Sequence, residues 1–255
     1  MSKEYFVDKN SIVREIWGKS DTILFIFAGA AAEFAINKSV DWLYFTGRLP
    51  KDPIRRLFST VSYARDIVFS ENEKALRTID AIVSIHAAVE GSRGMKIPDW
   101  AYRDVLFMLI DYSIRSYEML ERKLTVAEKN EIFRVFHKLG SKMEISGLPQ
   151  TFNEWIIMRD KQLSENLKLS LYTTDLFAQY RKHLGAVRYW ILQEVQGLIV
   201  PDSVREGLEL KKNSILYPLI RIYRIISSVK IVSGVKTLFI PMEFKKEVQA
   251  LDVTV

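Results

Sequence analysis

The chain contains no cysteine. That excludes a disulfide framework and any thiolate-held metal, and it fits a reducing compartment. Histidine is scarce too, with three in 255 residues. No H-E-x-x-H, no Cys/His zinc spacing, no G-x-S-x-G and no Walker loop is present. No Glu-x-x-His pair exists to build a di-iron carboxylate centre. Strand signals are weak, because no Asn-Gly or Asp-Gly turn joins alternating runs. There is no repeat and no Gly/Ser linker. The most apolar early run, "TILFIFAGAAAEFAI" (22–36), is interrupted by Glu33. It is shorter than the ~20 residues that span a bilayer, so it reads as a core helix with no transmembrane span.

Charge of one sign is also missing as a stripe. The 37 basic residues lie among 31 acidic ones, for a net charge of +6. "FKKEV" and "LKKNS" are short and isolated, so nucleic-acid binding is not expected. The amino terminus, "MSKEYFVDKNSIVREIWG", lacks the basic-then-apolar layout of a secretion signal. A cytoplasmic location is the resulting expectation. The segment "SILYPLIRIYRIISSVKIVSGV" (214–235) is broken by Pro218 and carries Arg221, Arg224 and Lys230. Packed structure with cationic side chains reaching solvent is the preferred reading, and peripheral membrane contact is the alternative.

What is present is helical punctuation. Hydrophobic residues make up 48% and charged residues 27%, which is globular composition. Ser70 to Glu73, Thr125 to Glu128 and Thr151 to Glu154 each match the capping box. Gly91 and Gly140 stand where helices are expected to stop. Periodicity predicts helices over 21–37, 53–68, 71–90, 99–121, 126–143, 152–166, 174–184, 187–198 and 202–210. The tail "KTLFIPMEF" reads as extended. The expected architecture is all-α, a single large multi-helix domain over 1–255.

Within the 71–90 helix, Ala75, Ile79, Ile82, His86 and Val89 fall on one stripe. His86 therefore occupies a core-facing slot. A core histidine bonded to a backbone carbonyl explains it, and so does a ligand of haem iron. Pattern alone leaves both open. His137 and His183 stand near helix ends and read as capping or surface residues.

Upstream of His86 is "KDPIRRLFSTVSYARDIVFS", which contains Asp52-Pro53-Ile54-Arg55-Arg56-Leu57-Phe58-Ser59-Thr60. Ile85-His86-Ala87-Ala88-Val89-Glu90-Gly91 follows, and later come "KLTVAEKNEIF" and "LPQTFNEWI". In order and spacing these resemble the catalytic domain shared by the MpaB-type oxygenases and the latex-clearing rubber oxygenases. The resemblance covers roughly 10–225.

It implies an all-α, haem b-dependent oxygenase acting with dioxygen on an apolar, isoprenoid or lipid-like substrate. His86 matches the axial iron ligand. Arg56 and Thr60 match the polar pair on the distal side, near bound oxygen or a haem propionate. The alternative for Arg56 is a surface arginine, and for Thr60 a bond back to the preceding turn. Rubber oxygenases carry a lysine immediately before that threonine, where this chain has Ser59. A lysine-closed iron is therefore not expected, and polyisoprene is disfavoured as substrate. Glu33 reads either as a buried acid near the site or as a solvent-facing residue of an amphipathic helix. Two other functions compete: a non-catalytic haem or lipid carrier, and a cofactor-free helical interaction protein.

Overall fold

The computed structural model describes residues 4–47, 51–227 and Asp252. The described residues form eleven helices and no strand, with only two isolated β-bridges, Tyr5 to Glu71 and Asn37 to Leu167. The helices are α1 (Ile12–Trp17), α2 (Ser20–Ile36), α3 (Val40–Phe45), α4 (Pro53–Phe69), α5 (Asn72–Arg93) and α6 (Asp99–Leu120). Then follow α7 (Val126–Lys142), α8 (Phe152–Glu165), α9 (Leu171–Ile199), α10 (Asp202–Gly207) and α11 (Tyr217–Ser227). The all-α expectation is met.

The centre is α2, which packs against α6 and α9. Its Ile23, Ile26, Ala32, Ala35 and Ile36 are almost wholly buried. Apolar side chains cover it all round, as expected of a helix enclosed on every side. Gly29 is required by the contact with α6. A Cβ there would lie 2.3 Å from Cε1 of Tyr112, so only glycine lets that ring cross.

Capping chemistry holds unevenly. Thr125 and Glu128 form the full reciprocal box. Thr151 caps the Glu154 N–H, but the Glu154 carboxylate turns to the Gln150 N–H instead. The Ser70 box does not form: α5 begins after Glu71, where the chain bridges to Tyr5. A backbone partner displaces the side-chain cap. Helix α5 runs through Gly91 and ends at Gly94, whose φ of 68° supplies the left-handed cap. Gly140 lies inside α7, buried against Leu106. The two helices predicted on either side of 185 are both present within α9 and meet at a kink at Gly185, whose φ is 75°. Helices α1, α3 and α11 escape the periodicity analysis; α1 and α3 have six residues each. Pro218 starts α11 rather than breaking it, since a first-turn residue needs no N–H partner. The tail at 236–244 lies outside the described residues.

Candidate functional site

Asp52 caps α4. Its carboxylate accepts the Arg55 N–H at 2.9 Å, and Pro53 takes the first helical position. Arg55 is exposed and pairs with Asp52. Arg56 is half-buried, and its guanidinium donates to the Ser59 hydroxyl at 3.2 Å. The Ser59 and Thr60 hydroxyls both donate to the Arg56 carbonyl, at 2.7 and 3.1 Å. The helical back-bond weighed for Thr60 is therefore made. Its oxygen keeps acceptor capacity, and its proton is engaged.

Helix α5 packs on α4. Its stripe is fully buried at Ala75 and Ile79 and only half-buried at Ile82, His86 and Val89. The helix thus leaves the core along its length. The His86 ring stands edge-on to Tyr102 of α6, with centroids 5.1 Å apart. The Tyr102 hydroxyl donates to Oε1 of Glu90 at 3.1 Å, and the Ile97 N–H donates to the same oxygen at 2.9 Å. Glu90, one turn beyond His86, ties the α5–α6 connection down.

Burial lowers the His86 pKa, and the Arg56 charge lowers it further against the opposing Glu90 carboxylate. The imidazole is neutral at pH 7. Its Nδ1 is buried and has no hydrogen-bond partner. No backbone carbonyl takes it, so the bonded core histidine is not what the structure contains.

The other histidines differ. His137 sits inside α7 with its ring 5.6 Å from Phe133, and its Nε2 is buried without a partner. It is a packed residue and not a cap. His183 is half-buried, two residues before the Gly185 break.

Glu33 is not solvent-facing. It is completely buried, and so is nearly all of Arg159 from α8. Arg159 Nη2 donates to Glu33 Oε2 at 2.6 Å and to Asp111 Oδ2 at 2.9 Å. Tyr112 donates its hydroxyl to Glu33 at 2.9 Å, and Gln162 its amide at 3.2 Å. Arg115 holds the other Asp111 oxygen at 2.7 Å. Two carboxylates and two guanidiniums balance. Together, burial and the Glu33 carboxylate push the Tyr112 hydroxyl well above its usual pKa. The charges of Glu33 and Asp111 outweigh burial and hold Arg159 well above its usual value. Sequence reasoning missed Arg159, Asp111 and Gln162. The available signal was Glu33 itself, since a carboxylate inside an apolar run needs a buried cation.

Among the described residues, no group of three or more His, Asp or Glu is placed to hold a metal ion. A surface cleft of about 380 Å³ lies elsewhere, lined by polar residues such as Arg115, Asp160, Asp202 and Arg205. It contains neither His86, Arg56 nor Thr60.

The architecture is that of an all-helical domain with two polar centres, one sealed and one left open. Residues 19–224 match the family described as "ER-bound oxygenase mpaB/B'/Rubber oxygenase, catalytic domain", and the chain belongs to that family. The match covers α2 through most of α11, and with it both centres. No curated protein and no solved structure matches the chain.

Proposed function

We propose that the protein is a haem b-dependent oxygenase in which His86 would hold the iron and Arg56 and Thr60 would serve the bound ligand or a haem propionate. The carrying observation is the His86 imidazole, which is neutral and retains a buried ring nitrogen with no partner. Iron held by a porphyrin needs only one such protein donor, so the donor set fits haem. Val83, one turn before His86 and on the same side of the helix, is exposed and offers apolar surface to a flat macrocycle. Helix α4 brings the Arg56 cation within electrostatic reach of His86, where it can pair with a propionate or polarise a bound ligand. Thr60 contributes an oxygen acceptor rather than a free proton.

When bound, the haem supplies dioxygen activation, and the protein supplies the ligand, the polarity and the position of the substrate. Dioxygen and an apolar, isoprenoid or lipid-like molecule are the partners in this reading. Ser59 stands where a lysine would be needed to close the iron, and its hydroxyl bonds within its own turn; on that residue type polyisoprene is disfavoured. A single domain over 1–255 in the cytoplasm completes the proposal. Among the described residues, no helix is long and apolar enough to cross a membrane.

Protein produced with ample haem supply should show a Soret band and, by pyridine haemochromogen, about one haem b per chain. Colourless protein that also fails to take up added haemin overturns the proposal. Oxygen uptake with a panel of apolar substrates separates an oxygenase from a carrier.

A further inference from the structure

Helix α5 leaves the core before it reaches His86, so core packing does not set the plane of that ring. Ala75 and Ile79 are buried, and the stripe beyond them is only half-buried. The second side-chain torsion of a histidine is soft, so its neighbours decide how the ring lies. The ring that meets it is Tyr102, with centroids 5.1 Å apart and planes 63° to each other.

Tyr102 stands on the fixed side of this contact. It lies early in α6, and Ala101 and Asp104 next to it are buried. Its far end is held as well. The hydroxyl donates to Glu90 Oε1 at 3.1 Å, and the Ile97 N–H donates to the same oxygen at 2.9 Å. Burial and the Glu90 charge push the Tyr102 hydroxyl above its usual pKa, so it stays a donor at neutral pH. Glu90 is one helical turn from His86. A ring of contacts therefore closes: His86 to Glu90 along α5, Glu90 to Tyr102 by a hydrogen bond, and Tyr102 back to His86 face to edge. The end of α5 has a separate tie to α3. Arg93 Nη2 donates to Asp41 Oδ2 at 2.7 Å, and its guanidinium lies 3.9 Å from the centre of the Trp42 ring. The seat of α5 thus does not depend on Glu90 alone.

We propose that Tyr102 and Glu90 are positioning residues for the His86 imidazole: the Tyr102 ring is the wall on which it rests, and Glu90 holds that wall. The consequence for iron rests on the haem reading, but the placement of the ring does not. Partners that orient a metal-binding imidazole change metal affinity about 10- to 100-fold.

Nuclear magnetic resonance of the haem-free protein tests the placement, because three histidines give three ring Cε1–H signals. The pH is set about two units above the ordinary histidine pKa, so that every imidazole is neutral and charge effects on titration drop out. Glu90→Ala and Tyr102→Leu should each displace the His86 signal and leave those of His137 and His183 in place. Glu90→Gln keeps a carbonyl oxygen for both donors, so its His86 signal should stay near the wild-type position. Arg93→Ala is the control for a loosened helix. It should lower the melting temperature with the His86 signal little moved. In a haemin titration, Glu90→Ala and Tyr102→Leu should bind about tenfold more weakly than wild type, and Glu90→Gln should bind like it. An unmoved His86 signal in Glu90→Ala and Tyr102→Leu overturns the proposal. So does a Glu90→Gln signal displaced as far as that of Glu90→Ala, since charge and not the bond would then be the cause. An Arg93→Ala signal displaced equally far overturns it too, because general loosening would explain all three. Wild type that takes up no haemin overturns the haem reading alone, and the His86 signals still decide the positioning.

Discussion

The Glu33–Asp111–Arg159 centre and the His86 centre are both polar clusters on apolar helices, yet their bonding is opposite. In the first, every carboxylate is met by a guanidinium, and Tyr112 and Gln162 add further donors. In the second, the imidazole is surrounded by neighbours that press on it without bonding to it: the edge of Tyr102, the charge of Arg56 and the fixed Glu90. A satisfied network under full burial has nothing left to offer a ligand, and it specifies how α2, α6 and α8 dock. A neutral nitrogen without a partner costs stability where it stands and gains by binding something. The comparison separates a saturated cluster from one with a nitrogen to spare more sharply than burial does, since the more conspicuous cluster is the one with no free valence.

Replacing Arg159 by Met should give the largest effect. Glu33 would lose its cation while fully buried, and Asp111 would keep only Arg115, at a cost of about 3–5 kcal/mol in denaturant unfolding. A loss below about 1 kcal/mol would mean that the network is not structural. Gly29→Ala attacks the same centre by steric means. Its Cβ would meet the Tyr112 ring that crosses to Glu33, and about 1–3 kcal/mol should be lost. Tyr112→Phe removes one of several donors to Glu33 and should cost about 1 kcal/mol.

The open centre should respond differently. In haem-free protein, His86→Leu is expected to leave stability within about 1 kcal/mol of wild type, because an unsatisfied nitrogen disappears together with the ring. Its pH signature is the smaller, finer test. Folding depresses the His86 pKa, so as pH falls through the unfolded value of 6.5 the unfolded chain takes up a proton first. The stability from a neutral His86 is thus present above that pH and declines below it, until the folded pKa is passed. Asp104, raised by burial to about 6 against the bonds from Asn37 and Asn166, acts with the opposite sign. The difference between wild type and His86→Leu isolates the imidazole. Parallel pH profiles would show that His86 is not buried neutral.

Much of this was legible in the sequence, for reasons that can be named. Long helices with strong periodicity, such as α6 and α7, were found within a residue or two, because burial of one stripe dominates their stability. The caps at Thr125 and Thr151 were read correctly because they are local. Ser70 failed because its competitor, the bridge from Tyr5, is 66 residues away in the chain. Arg56 and His86 were singled out through ordered motifs, and the Arg56 charge acts on the His86 imidazole in the structure. Arg159 stayed hidden, since its partners lie 126 and 48 residues away and nothing local distinguishes it from a surface arginine. The orphaned state of His86 Nδ1 was beyond any pattern, because periodicity places a residue on a face and does not say what meets it there.

The most direct measurement is haem occupancy and the absorption spectrum of His86→Leu, His137→Leu and His183→Leu, purified side by side with wild type under ample haem supply. His137 also buries an unpartnered ring nitrogen, so it is the demanding control. The account predicts that the His86 variant alone loses most of its haem or its axial spectrum. Its melting temperature should fall relative to haem-loaded wild type, because the cofactor's binding energy no longer favours the folded state. Equal occupancy and matching spectra in all three variants, or selective loss in the His137 variant, would contradict it.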